Sequence, residues 1–561
     1  MKTKSLLIIL VMLLFLTAAF IPANISAEEY NGTRPTKEHL YINETNVKDL
    51  VTEGVLKGSG TPEDPYVLEN YVLYGPVLPA LWIVNVSNIV IRNVVISPGK
   101  NESNWGRTGI TIQNASNVVI EDVTISYMMQ GIIAYNVHGL KVNKISTVVN
   151  PDMGYAIQLF NCTEVEIKSV DVLSGHVLLV DGTKKENFDV KVEDVYKSDP
   201  KDPTIKYPYL YFFSRDSVIL SPGELTKDIE RIYGGMFVAF SGRVILDGVY
   251  FYDDVIVVNS ESLGVWNTGI RDARFGIMAK NVPSVGVYSS WIYNAIYGIY
   301  VENSDSVNVK SCIINYTSWG VFLINANSFN VSNNYIRRST SNAVYIDHSG
   351  NGTITHNLIL NVGSYGIWLS KGTENVSITW NNIYMVGRIS ELTTGYGADY
   401  GRNNSWDHNF YGPMVPSGPY NVTGSAKSCD KHPLNDPIPI LRVSFGKNTF
   451  VLRESALFVG VEVITVNDTT NDIEALRNFT VTIYGKKYST PENSTIITTY
   501  VERQGDALTV RYGSQELIIP LPEKISKRSY RIAAYVLLGA GIALLVTGVY
   551  MNRQQKKKGR K

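Results

Sequence analysis

Asp254, Gly276, Gly298, Gly320 and Asn342 stand 22 residues apart, and Gly366 follows after 24. Five residues into these units come Asn259, Asn281, Asn303, Asn325 and Asp347. The same phrase occurs earlier as GITIQN (109–114) and GIIAYN (131–136), then as AIQLFN ending at Asn161 and HVLLVD ending at Asp181. Each unit holds two or three short runs of alternating Ile and Val, separated by Asn, Ser or Gly. Such a unit cannot bury its apolar face alone and must stack on copies of itself. The runs are too short for helical repeats of period 3.6, and the Leu/Asn spacing of leucine-rich repeats is missing. The pattern therefore predicts an all-β chain, a right-handed parallel β-helix over 66–410. At a strand spacing of about 4.8 Å, a dozen or so coils would make a rod roughly 55–60 Å long. The recurring Asn suits a sharp corner because it tolerates left-handed backbone. Its amide can also bond to the Asn one coil along.

The period breaks once, at 196–235. Ser221 and Glu224 there form a capping box, and Gly234 would end the helix that follows. This aromatic-rich insertion is either a lid over a binding face or packing that seals a joint between two half-rods. Residues 28–65 precede the repeat as an N-terminal cap, and the Pro/Gly-rich stretch 411–440 follows it as a tail. Hairpin signals at Gly505-Asp506 and Gly513-Ser514 predict a small β-sandwich over 441–523.

The two ends place the chain at a membrane. Lys2 and Lys4 precede a long apolar run ending in small residues at Ala27, which is the layout of a secretory signal peptide over 1–27. Residues 532–551 carry no charge and are long enough to span a bilayer, with Tyr530 and Tyr550 at the edges and a basic tail at 552–561. The expectation is a single-pass cell-membrane protein with its large domain outside. All 51 acidic residues lie within 28–523, against 39 basic ones there, so the outer domain carries −12. That balance argues against nucleic acid as a partner. Cys162, Cys312 and Cys429 are too few and too scattered for a disulfide framework. Frequent Asn-X-Ser/Thr triplets, among them Asn85, Asn114, Asn161 and Asn330, suggest a glycosylated surface.

GSGTPEDPYVLENYVLYG (58–75) resembles the lead-in to the β-helix of NosD-like and CASH-domain proteins. NSWDHNFYG (404–412) and PYNVTGSAKSCDKHPL (419–434) resemble the closing segment of the same group, although the usual Tyr-Pro-Leu end reads His432-Pro433-Leu434 here. The resemblance covers roughly 55–437. It implies a pectin-lyase-like fold and a wide range of roles: carbohydrate-binding and sugar-hydrolase modules, surface-layer proteins, and a periplasmic factor for copper-site assembly. The histidines stand apart in this sequence with no Met/His or Cys cluster, so neither a metal site nor a cofactor is expected; Ca2+ enters only if the chain is a lyase.

Cleavage of a polysaccharide needs carboxylates on neighbouring coils as acid and base, or a carboxylate-bound Ca2+ with a basic residue. The one corner that offers them joins Asp253 and Asp254 to Arg271, Asp272 and Arg274. Surface Asp/Arg pairs at turns are usually only solvated charge. The aromatic positions carry more information. Two residues past the glycines stand Met278, Tyr300, Phe322, Val344 and Trp368, an outward column by strand alternation. Just before them come Phe275, Tyr297, Trp319 and Tyr365. Such a stripe needs a cover. Either sugar rings stack on it, with Tyr300, Phe322, Trp368, Trp319 and Tyr297 as glycan-binding candidates, or the 196–235 insertion, the 388–437 tail or another subunit lies over it. The reading is a surface protein that binds glycans or cell-envelope partners. A polysaccharide lyase or glycoside hydrolase is the alternative, and a structural surface-layer component the third.

Overall fold

The computed structural model describes residues 34–99, 105–199, 201–221, 232–385, 395–413, 415–446, 449, 451–452, 455–467 and 472–523. The expected signal peptide, the apolar stretch 532–551, the basic tail and the helix expected after Ser221 lie outside these residues. Among the described residues no helix is long and apolar enough to cross a membrane.

The repeat builds a parallel β-helix of about 15 turns. Inward side chains pile into columns because successive coils pair in register. One column runs Ile42, Ile83, Ile112, Ala134, Leu159, Val180, and all but Val180 have no exposed surface. Removing such chains from water is the main favourable term in the fold. The unit's first glycine has a steric reason. A Cβ on Gly298 would lie 2.4 Å from the Gly320 carbonyl oxygen on the next coil. The corner asparagines behave as their chemistry requires. Asn259, Asn281, Asn303 and Asn325 have φ between +48° and +57°, and the amides of Asn281, Asn303 and Asn325 each donate to the Asn one coil back at 2.8–3.0 Å.

The coils do not form one continuous rod. The parallel ladder that starts at Thr36–Glu38, inside the stretch read as a cap, ends with His176–Asp181 and Val190–Ser198. Strand Lys206–Phe213 then runs antiparallel to Val190–Ser198 and opens a second parallel ladder with Gly235–Ala239. Strands Gly235–Ala239 and Val255–Val258 are buried on both faces. Met236, Val238, Val255 and Val257 point into the second core, while Phe237, Ala239, Ile256 and Val258 complete the first. The first stack thus closes against the flank of the second. The described part of the insertion sits at this joint: Tyr209 and Tyr211 donate hydroxyl bonds to the Leu178 and Phe188 carbonyls.

The described strands between Ile440 and Pro520 form two four-stranded antiparallel sheets around a shared core. This unit lies along the second stack, with Ile245, Trp266 and Tyr288 of the stack in its core. Trp266 donates to the Pro520 carbonyl, and Ser289 and Ser311 both donate to that of Val443.

Candidate functional site

Tyr297, Tyr300, Trp319, Phe322 and Trp368 come together on one face of the second stack. Register places Met278, Tyr300, Phe322, Tyr345 and Trp368 in a single column. The rings of Tyr300 and Phe322 stack at 5.5 Å, and those of Phe322 and Tyr345 at 4.6 Å. Phe275, Tyr297 and Trp319 make a second column, stacked at 5.2 and 6.4 Å. The two columns meet edge to face. Trp319 stands at 86° to Phe322 and 82° to Tyr345, an arrangement that sets ring edges against ring faces. These rings are half-buried, neither sunk in a core nor fully free. Burial first and then the Glu302 carboxylate, which accepts the Tyr300 hydroxyl at 2.9 Å, hold that phenol well above its ordinary pKa.

Val344 is not part of this column. The coil between Gly320 and Ala343 is one residue longer than 22, so Val344 pairs with Val321 and points inward, and Tyr345 takes the outer place. The same step puts His348, at φ +43°, on the left-handed corner expected for Asp347.

At the foot of the wall lies a cleft of about 510 Å³, where the end of the first stack meets the second. Phe275 and Met278 continue the wall into it, and Phe188, Phe240, Lys185 and Arg274 line the rest.

The acidic corner divides. Asp253 and Asp254 are sealed inside the joint with His176 and Tyr155, all at most 1% exposed. His176 Nδ1 lies 2.6 Å from Asp253 Oδ1, and the Val177 amide donates to Oδ2. Asp254 accepts the Tyr155 hydroxyl on Oδ2 and the Arg274 and Phe275 amides on Oδ1. All four carboxylate oxygens are engaged, two of them by backbone. Burial alone would push the His176 pKa down, but the carboxylates of Asp254 and Asp253 outweigh it and hold it above the ordinary value. Burial raises Asp254 despite the opposing pull of His176. Asp272 is not in this group. It sits on another corner at φ +55°, paired with Arg271 and accepting from Asn294. Arg271 covers the Tyr252 ring at 5.1 Å, and Arg274 lies between the rings of Tyr155 and Phe275. His176 and Tyr155 carried no signal in the sequence, because they belong to coils on the far side of the ladder break.

A third group forms near the end of the second stack, from histidines that stand apart in the chain. Asp407 holds His408 Nδ1 and His432 Nδ1, each at 2.8 Å, one on each carboxylate oxygen. His408 stacks on Trp380 at 4.5 Å, and His432 lies beside His408. The ligand atoms of the three residues all lie within 4.8 Å of one another. The sealed His176–Asp253–Asp254 group meets the same distance test, but its oxygens are already occupied.

Residues 231–421 match the family described as NosD, periplasmic copper-binding protein. No curated protein matches it. Among solved structures it is similar to tailspike protein 3 of bacteriophage CBA120, at 7% identity and TM-score 0.27, over 73% of this chain and 58% of that one. It is also similar to a mutant of the periplasmic alginate epimerase AlgG, at 12% identity and TM-score 0.21, over 71% and 85%. For the alginate lyase AlyF-OU02 the figures are 9%, 0.25, 76% and 93%.

Proposed function

We propose that the chain is a cell-surface protein that binds a polysaccharide along the second stack, held there by the span read at 532–551. The observation behind this is the wall: two crossed columns of half-exposed rings that advance by one ring per coil. A coil spacing of about 4.8 Å is close to the length of one pyranose unit, so successive sugars can each meet a ring. Aromatic faces suit the apolar faces of sugar rings, and tyrosine hydroxyls suit their edges. Binding rather than cleavage is favoured because the carboxylates of the joint face no solvent. The matched family is described as copper-binding. In this chain the exposed Asp407–His408–His432 group has donors suited to such an ion, whereas the carboxylate oxygens of the sealed group are already engaged.

The test is retention of the full-length chain on a panel of neutral and acidic polysaccharides, with released reducing ends followed in parallel. Retention without new ends is expected, and Trp368→Ala and Tyr300→Ala should each weaken it about fivefold, the equivalent of ~1 kcal/mol per ring. Retention that ignores both substitutions, or the appearance of new ends, would sink the reading.

A further inference from the structure

We infer that Asp407, His408 and His432 form a site for one divalent transition-metal ion of borderline softness, independently of what the wall binds. The donor set is two imidazoles and one carboxylate. That set suits Zn2+, Cu2+ or Ni2+ far better than Ca2+ or Mg2+, which take oxygen ligands.

The geometry is built rather than incidental. A buried asparagine ladder runs through the coils beneath the site, from Asn334 to Asn357, Asn381 and Asn409, each amide donating to the next side chain at 2.9–3.0 Å. It ends on Asp430, which is fully buried and accepts the Asn409 amide and the Tyr411 hydroxyl on Oδ2. The other oxygen of Asp430 accepts the backbone N–H of His408 and that of His432, both at 3.1 Å. One carboxylate therefore fixes the backbone of both histidines and sets the gap between their rings. Stacking on Trp380 then orients the His408 ring. Held ligands of this kind bind metal more tightly than loose ones because less ordering remains to be done.

The site also has access. The side chains of His432, Asp407 and His408 are 65%, 38% and 37% exposed, which leaves room for water to complete the coordination. An ion bound here would take the place of the two Nδ1 protons, each neutral ring then carrying its proton on Nε2 instead.

The experiment is calorimetric titration of the full-length chain with CuCl2, with tryptophan emission followed in the same samples. One equivalent should bind, with quenching of Trp380 because it lies against a ligand. His432→Ala, which removes an exposed side chain, should weaken binding at least about tenfold, and Asp407→Asn should do the same. Trp380→Phe should leave the stoichiometry at one and remove most of the quenching. His348→Ala, at another exposed histidine–carboxylate pair, should change nothing. Unaltered binding in His432→Ala, or equal loss in His348→Ala, would overturn the assignment.

Discussion

Asp253 and the ring of Tyr297 occupy the same place in the coil. The residue two before the strand at Val255 is Asp253, and in register one coil on comes Phe275, then Tyr297, then Trp319. At the first of these coils the place is charged and dry, and at the next three it is aromatic and half-open. The difference lies in what covers it. The end of the first stack presses on the Asp253 coil and brings His176 and Tyr155 with it, whereas among the described residues Trp319 meets the neighbouring rings of the wall. A repeat position is therefore a geometric slot whose chemistry is decided by its cover. Where the cover supplies a base and backbone donors, the slot holds a carboxylate. Where the described residues supply none, it holds a ring.

The largest effect should come from breaking the covered slot. Asp253→Ala takes the close carboxylate partner from His176 Nδ1 and the side-chain acceptor from the Val177 amide, both buried, and one-sided removal of this kind costs about 3–5 kcal/mol. Urea unfolding should show it, along with earlier proteolysis within 199–206. Tyr297→Ala removes a half-exposed ring and should cost well under half as much. Equal losses in the two variants would mean that cover does not set the chemistry of the slot.

Protonation sharpens the same contrast. His176 is raised above its ordinary value, so its charged form stabilises the joint fully below about pH 6.5 and loses that contribution as pH rises through the folded pKa. Asp254, also raised, acts in the same direction from a lower starting point of 3.8. Lys197 opposes the His176 charge and Arg274 faces Tyr155, so neither reverses the sign. Melting temperature should therefore fall on the alkaline side of the histidine range. In His176→Gln that slope should flatten, while a wall variant such as Tyr300→Phe should keep it.

Periodicity explains what could be read from the chain. The 22-residue count located the coils, and Asn259, Asn281, Asn303 and Asn325 form the ladder their spacing implied, because each is a local corner repeated at constant length. Counting fails where the length changes. The one extra residue before Ala343 turned Val344 inward and left Tyr345 unnoticed on the wall. The joint is invisible for another reason: His176 and Asp253 are 77 residues apart, on ladders that share no parallel pairing. Asp407 and His408 are adjacent, but the coil that brings His432 beside them departs from the 22-residue period, so the histidines read as isolated.

The smallest effect, at Asn303, comes from testing cover on a single residue type. Asn303 and Asn357 both bond to an asparagine on a neighbouring coil, but Asn303 is exposed at a corner and Asn357 has no exposed surface. Asn357→Ala strands the Asn334 amide and the Val331 carbonyl in a dry core, at a cost of about 1–3 kcal/mol for each group left unpaired. At Asn303 water replaces the lost partners. Asn303→Gly also keeps the left-handed corner free of strain, so its cost should stay within about 1 kcal/mol. Asn303→Ala should be worse than glycine by about 1–2 kcal/mol, because alanine must hold φ +57° without a local hydrogen bond. If alanine and glycine prove equal there, the corner is not what selects asparagine, and the amide ladder must account for the repeat alone.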